Sequence, residues 1–140
     1  TEIYNNPTDP FVAEFIGTNN FFKGKVERII PNKEITIETE DGLLLKKDYV
    51  AGFNEKDSVL VCIRADDVDI ITKKDLPEYT TVLEGKINKA TFTGMMLVLE
   101  VEVDNTVLRT HLTGSKRFKY WKSEGEKILC GINNIILVKV

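Results

Sequence analysis

Catalysis needs side chains that hold a proton, a nucleophile or a metal close together, and this 140-residue sequence offers few of them. It has one histidine, His111, and two cysteines, Cys62 and Cys130. A zinc site built on a histidine pair is excluded, and neither cysteine has a Cys-x-x-Cys partner. Both cysteines sit inside apolar runs and read as buried thiols, and His111 reads as a structural or surface residue of a strand. No Gly-x-Ser-x-Gly elbow supports a serine nucleophile. A phosphate loop needs Gly-Lys followed by Ser or Thr, so that backbone N–H groups cradle phosphates while the hydroxyl holds magnesium. Here Gly24-Lys25 precedes Val26 and Gly85-Lys86 precedes Ile87. The residues therefore predict no catalytic group, no metal site and no cofactor held by this stretch.

Two charged clusters remain. Asp66, Asp67 and Asp69 follow Arg64 and would attract a cation or a polyamine, although a like-charge run more often solvates a turn. Lys116, Arg117, Lys119 and Lys122 interleave with Phe118, Tyr120 and Trp121. Such a pattern stacks bases along a basic groove in single-strand binders. The plainer and favoured reading has the aromatics capping a barrel while the lysines reach to water. Ser115, Lys116 and Arg117 are also candidate donors to an oxyanion. A net charge of −3 argues against a nucleic-acid partner, because phosphate neutralisation supplies most of that affinity.

The elements that would carry these residues are short strands. Glu34 to Glu40 and Leu97 to Val103 alternate polar and apolar, the period of a strand with one wet face. Pro31-Asn32, Asp41-Gly42 and Asp104-Asn105 supply turns. Lys25 to Ile30, Val59 to Arg64, Val68 to Ile71, Val107 to Leu112, Lys127 to Ile132 and Ile135 to Val140 add further strands, so the spacing predicts an all-β fold of small barrels. One short helix precedes them, with Asp9 as N-cap, Pro10 in its first turn and Gly17 as its stop. Two turns of helix need a surface to dock on.

The second half echoes the first. Phe22 to Ile29 lines up with Leu83 to Ala90 at an offset of 61, and Asp57 to Leu60 with Glu126 to Leu129 at an offset of 69. An insertion near Lys116 to Ser123 accounts for the difference. Two related small barrels, or one intertwined pair of half-barrels, would give this pattern. The polar, proline-containing stretch Lys73 to Glu78 marks the expected boundary, giving a linker helix over 1–20, a first β unit over 21–76 and a second over 77–140. Residues 1–70 hold 8 basic and 14 acidic side chains and 71–140 hold 11 and 8; the halves would attract each other across a symmetric interface, or the split is a solvated surface with no partner. Hydrophobic residues at 42% and charged residues at 29% mark a globular chain, and no apolar run is long enough for a membrane helix or a signal sequence. A first residue other than Met suggests a piece of something longer.

Glu2-Ile3-Tyr4, Pro7, Pro10 to Gly17 (Pro-Phe-Val-Ala-Glu-Phe-Ile-Gly) and Asn20 resemble the stretch that leaves the nucleotide-binding domain of ABC-importer ATPase subunits. The family continues into a transport-associated regulatory domain of oligonucleotide/oligosaccharide-binding (OB) type, and this chain is most similar to the spermidine/putrescine type, with the sugar type next. Val59, Ile63 and Arg64 match the family's V-x-x-x-I-R-P-E signature; Ala65 replaces its proline and Asp66 its glutamate. Phe92 and Gly94 resemble its F-x-G. The resemblance implies a non-catalytic regulatory and dimerisation domain, in a homodimer, beside its own ATPase domain and the membrane subunits of the transporter. ATP and magnesium would belong to the missing upstream domain. It further implies a cytoplasmic place at the inner face of the membrane, Phe11, Phe15 and Ile16 as interdomain docking residues, and Arg64 and Asp66 as regulatory-motif residues. Lys116, Arg117, Lys119 and Trp121 stay as an anion or partner patch. A small-ligand sensor for an oxyanion or polyamine, and an OB-fold oligonucleotide binder, are the alternatives.

Overall fold

A computed structural model of the protein describes residues 18–140. Ten strands follow in order: β1 (Asn20–Ile30), β2 (Glu34–Thr39), β3 (Leu44–Asp48), β4 (Ser58–Ile63), β5 (Val68–Ile71), β6 (Thr81–Thr93), β7 (Met96–Val103), β8 (Thr106–Leu112), β9 (Lys127–Ile132) and β10 (Ile136–Lys139). Helix α1 (Lys116–Tyr120) and two 3-10 turns, Ala65–Asp67 and Lys73–Glu78, interrupt them. The all-β expectation holds. The helix expected before the strands, with Asp9, Pro10, Phe11, Phe15, Ile16 and Gly17, lies outside the described residues.

The strands form two five-stranded antiparallel sheets, ordered β10-β4-β1-β2-β3 and β5-β9-β6-β7-β8. The duplication is visible bond by bond. Val26 pairs with Ile37 and Ile87 with Val101, each just ahead of a bulge that skips Glu27 or Asn88. Val26 exchanges backbone hydrogen bonds with Asp57 and Lys56, and Ile87 does so with Glu126 and Gly125. Gly24 and Gly85 occupy the same place on their sheets. A Cβ there would meet the carbonyl oxygen of Glu38 or Glu102 at 2.8 Å, so only glycine lets the neighbouring strand close in.

Period-2 alternation puts Val26, Ile35, Ile37, Leu45, Val59, Val61 and Ile63 into the core of the first unit. Ile87, Leu97, Leu99, Val101, Leu108, Cys130 and Ile132 fill the second. The unbroken apolar run of β4 is explained by its place between β10 and β1, where every residue from Val59 to Ile63 is buried.

The unit boundaries differ from those expected. The described chain divides into residues 18–63 with 134–140, and residues 64–133. After β4 the chain leaves its own sheet, and β5 pairs with β9 of the second unit. After β9 it leaves again, and β10 pairs with β4 of the first. The two copies thus exchange their fifth strands. Lys73 to Glu78 is no linker between units: Thr72 N–H and its hydroxyl donate to Asp75 Oδ2 at 3.0 and 3.1 Å, capping a turn inside the second unit. That backbone donor holds the Asp75 carboxyl below the usual carboxylate range. The charge split also dissolves. Residues 18–63 with 134–140 carry eight basic and eight acidic side chains, residues 64–133 carry eleven of each, and the acidic excess resides on Glu2, Asp9 and Glu14.

Candidate functional site

The second unit carries the charged clusters, and the structure treats them differently. The acidic one is largely spent on internal contacts. Asp66 stands in the first 3-10 turn, its side chain 61% exposed, with Arg64 at 3.7 Å and His111 Nδ1 at 3.0 Å from its oxygens. His111, on β8, keeps only 10% of its side chain exposed. Asp66, beside Arg64, therefore ties the strand crossover to β8 through His111.

Asp69, on β5, accepts a hydrogen bond from the Tyr79 hydroxyl at 2.7 Å. Tyr79 lies over Gly131 so closely that a Cβ there would sit 2.6 Å from the ring. The bond to Asp69, then burial and the surrounding carboxylates, push the Tyr79 hydroxyl up to about 12. Asn133 completes this corner, accepting from Thr80 N–H at 2.8 Å and donating to the Glu78 carbonyl at 2.9 Å. Tyr79 was not singled out from sequence; the glycine inside the β9 run was its one signal. With Asp66 and Asp69 so engaged, the three aspartates do not converge on one point, and no cluster of metal-ligating side chains occurs among the described residues.

The basic-aromatic cluster is the opposite case. Lys116, Arg117 and Lys119 lie on α1, with Trp121 just beyond it, inside the insertion expected near residues 116–123. The aromatics do not cap a barrel. Phe118 is 65% and Trp121 43% exposed, and Phe92 and Met95 from the β6–β7 hairpin are exposed beside them. The Phe92 and Trp121 rings stand 6.3 Å apart, tilted by 44°. Arg117 fastens the two segments: its Nε donates to the Gly114 carbonyl at 2.8 Å and its Nη1 to the Met95 carbonyl at 2.9 Å. Its guanidinium also lies over the Phe118 ring at 4.9 Å, and Lys122 lies over Trp121 at 4.3 Å. Below, the buried Ser123 hydroxyl donates to the Tyr120 carbonyl and closes the segment. Met95 is the member missed from sequence, whereas Phe92 stands in the F-x-G resemblance with Gly94, whose positive φ makes the turn beside them. Arg117 thus spends its Nε and Nη1 on backbone carbonyls.

In the first unit the notable concavity is a cleft of about 550 Å³ lined by Lys23, Lys25, Glu38, Glu40, Ser58 and Val140, among others. The buried thiol of Cys130 is pushed up to about 12 by desolvation and stays protonated and inert at neutral pH. Among the described residues no helix is long and apolar enough to cross a membrane.

No family model matches the chain. Relatives of known name do. The spermidine/putrescine import ATP-binding protein PotA of Clostridium acetobutylicum is 33% identical over 112 residues, which is 80% of this chain and 28% of that protein. PotA of Borreliella afzelii is 32% identical over 118 residues, 80% of this chain and 30% of its own. PotA of Haemophilus influenzae is 34% identical over 110 residues, 77% and 28%. The chain spans less than a third of the length of these relatives, and the match falls on their C-terminal part. Among solved structures, the cytoplasmic molybdate-binding protein ModG with molybdate bound superposes with a TM-score of 0.70 over 89% of this chain and 99% of its own, at 18% identity. That likeness establishes a shared OB-type fold. By sequence and fold together, the chain is similar to the C-terminal, OB-type part of the spermidine/putrescine import ATP-binding proteins.

Proposed function

We propose that this chain is the regulatory and dimerisation module of an ABC-importer ATP-binding subunit serving polyamine uptake, and that it performs no covalent chemistry itself. The identity with the C. acetobutylicum import protein over 80% of the chain carries the reading. The molecule's build supports a mechanical task. Both cores are packed with aliphatic side chains, and among the described residues no buried side-chain nitrogen or oxygen lacks a partner. Two such units, each completed by a strand from beyond the other, make a scaffold suited to holding neighbours at high effective concentration. In this reading Phe11, Phe15 and Ile16 dock the ATPase domain, ATP and magnesium bind upstream, and the whole subunit sits at the cytoplasmic face of the membrane against the transporter's membrane subunits.

Sedimentation equilibrium of the intact chain tests the dimerisation. A concentration-dependent dimer burying on the order of 1,200–2,000 Å² is expected. A strict monomer up to millimolar concentration would sink that role, and ATP turnover by the purified chain would sink the non-catalytic assignment.

The cleft of about 550 Å³ in the first unit favours a second reading, a small-ligand sensor, because lysines, glutamates and a serine hydroxyl line one concavity. Thermal-shift titration with molybdate, sulfate and spermidine separates the two. A ligand that binds only the native state raises Tm with concentration; flat curves for all three remove the sensor reading.

A further inference from the structure

The second unit departs from the first in two places, and both departures meet in one patch. The β6–β7 hairpin carries Met95 at its tip, where the β1–β2 turn has Asn32, and α1 fills a connection that in the first unit holds no helix. The fold does not require either addition, since the first unit closes the same β ladder without them. What they build is an apolar surface turned to solvent: Met95 is 77% exposed, beside Phe92, Phe118 and Trp121. It is held rigid before any partner arrives, by the Arg117 bonds to Gly114 and Met95 and by the Phe92–Trp121 ring contact. Exposed aromatic and Met anchors on a pre-organised base are the anatomy of an interface centre, where ordering costs little on binding. Lys119 and Lys122 at its rim lie over the Tyr120 and Trp121 rings, and among the described residues neither forms a salt bridge with a carboxylate, so their charge is open to a partner.

We propose that Phe92, Met95, Phe118 and Trp121, rimmed by Lys119 and Lys122, form the docking surface for a protein segment that sets apolar side chains among carboxylates. Charge complementarity selects such a segment. An isologous pairing of the patch with itself would bring lysines face to face. Stacked nucleobases are disfavoured because Lys122 already covers the Trp121 ring and Arg117 is engaged with carbonyls. The proposal stands independently of the transport reading.

Trp121 is the chain's one tryptophan, which makes the patch its own reporter. The intact chain would be titrated with a short synthetic peptide of Glu, Leu and Phe, with its Lys-for-Glu counterpart, with anionic phospholipid vesicles and with oligo-dT. A saturable blue shift of Trp121 emission is expected with the acidic peptide, weakened by salt. The double substitution Lys119→Glu with Lys122→Glu should weaken binding about tenfold, as should Phe118→Ser, with the far-UV spectrum unchanged. Should Phe118→Ser fail to fold, Met95→Ser at the most exposed position takes its place. No shift with the acidic peptide, an equal shift with its basic counterpart, or a shift with vesicles or oligo-dT alone would overturn the assignment.

Discussion

The two units have the same strand order and the same bulge, yet they finish their sheets differently. In the second, β8 lies against β5 and the first 3-10 turn, and the buried Thr110 hydroxyl donates to the Val68 carbonyl. At the equivalent position of the first, β3 places Lys47, partly exposed, with its ammonium on the Asp48 carbonyl. One copy thus uses a buried hydroxyl to bring its outer strands together, and the other leaves a solvated lysine there. The second copy also carries the hairpin tip and α1. Duplication supplied the ladder twice, and the differences lie where the ladder ends. Surface function can diverge at those ends without disturbing the core residues Val26 and Ile87 or the pairs they make.

The largest effect is expected at the exchanged strand. Removing residues 134–140 takes β10 from β4, at about 1 kcal/mol for each lost ladder bond plus the bared apolar surface of β4. Hydrogen exchange should show the first unit losing protection while β5–β9 keeps its own; unchanged protection in β1 and β4 would mean that the first unit is complete without β10. Next come the paired glycines. Gly85→Ala should cost about 1–3 kcal/mol by overpacking, and Gly24→Ala less, since a Cβ at 85 meets three atoms under 3.0 Å and one at 24 meets a single such atom. Denaturant midpoints in the reverse order would refute the claim that the second unit is packed more tightly there. Thr110→Val should destabilise by about 1 kcal/mol in urea melts, whereas Lys47→Val stays within about 0.5 kcal/mol.

The smallest effect is a pH dependence confined to the second unit. The folded Tyr79 hydroxyl titrates near 12 against an ordinary 10.0, so its stabilising contribution is whole below pH 10 and is lost as pH rises towards 12. The stability gap between the protein and Tyr79→Phe should stay constant from neutral pH to about 9 and shrink above 10. A gap that widens with alkali would reverse the sign and discard the Asp69 bond as its cause.

Much of this was legible in the residues. Alternation in Glu34–Glu40 and Leu97–Val103 marked half-wet strands, and the Gly-Lys repeats marked the duplicated bend. The unit boundary was not. Lys73 to Glu78 has the composition of a linker but is pinned by Thr72 and Asp75, whereas the crossover at Arg64 follows an apolar run with no local break in composition. Which sheet a strand joins is a non-local choice, and β5 and β10 read alike whether they close their own copy or the other. The same limit hid the patch. Lys116 to Lys122 was visible as a cluster, but its exposure depends on a hairpin more than twenty residues earlier in the chain, and Arg117 reaching the Met95 carbonyl is the contact that joins them. Arg64 and Asp66 were visible as a signature, and their partner His111 lies 45 positions away from Asp66.

The swapped fifth strands carry a further implication. In the product of a gene encoding only one half, a last strand that left its sheet as β5 does here would complete a sibling, and the open edge beside β4 would take the sibling's strand in return. Joining two such genes head to tail would turn this mutual loan into a private arrangement within one molecule, independent of concentration. After that fusion neither half is free to leave, since each holds a strand that the other copy supplies.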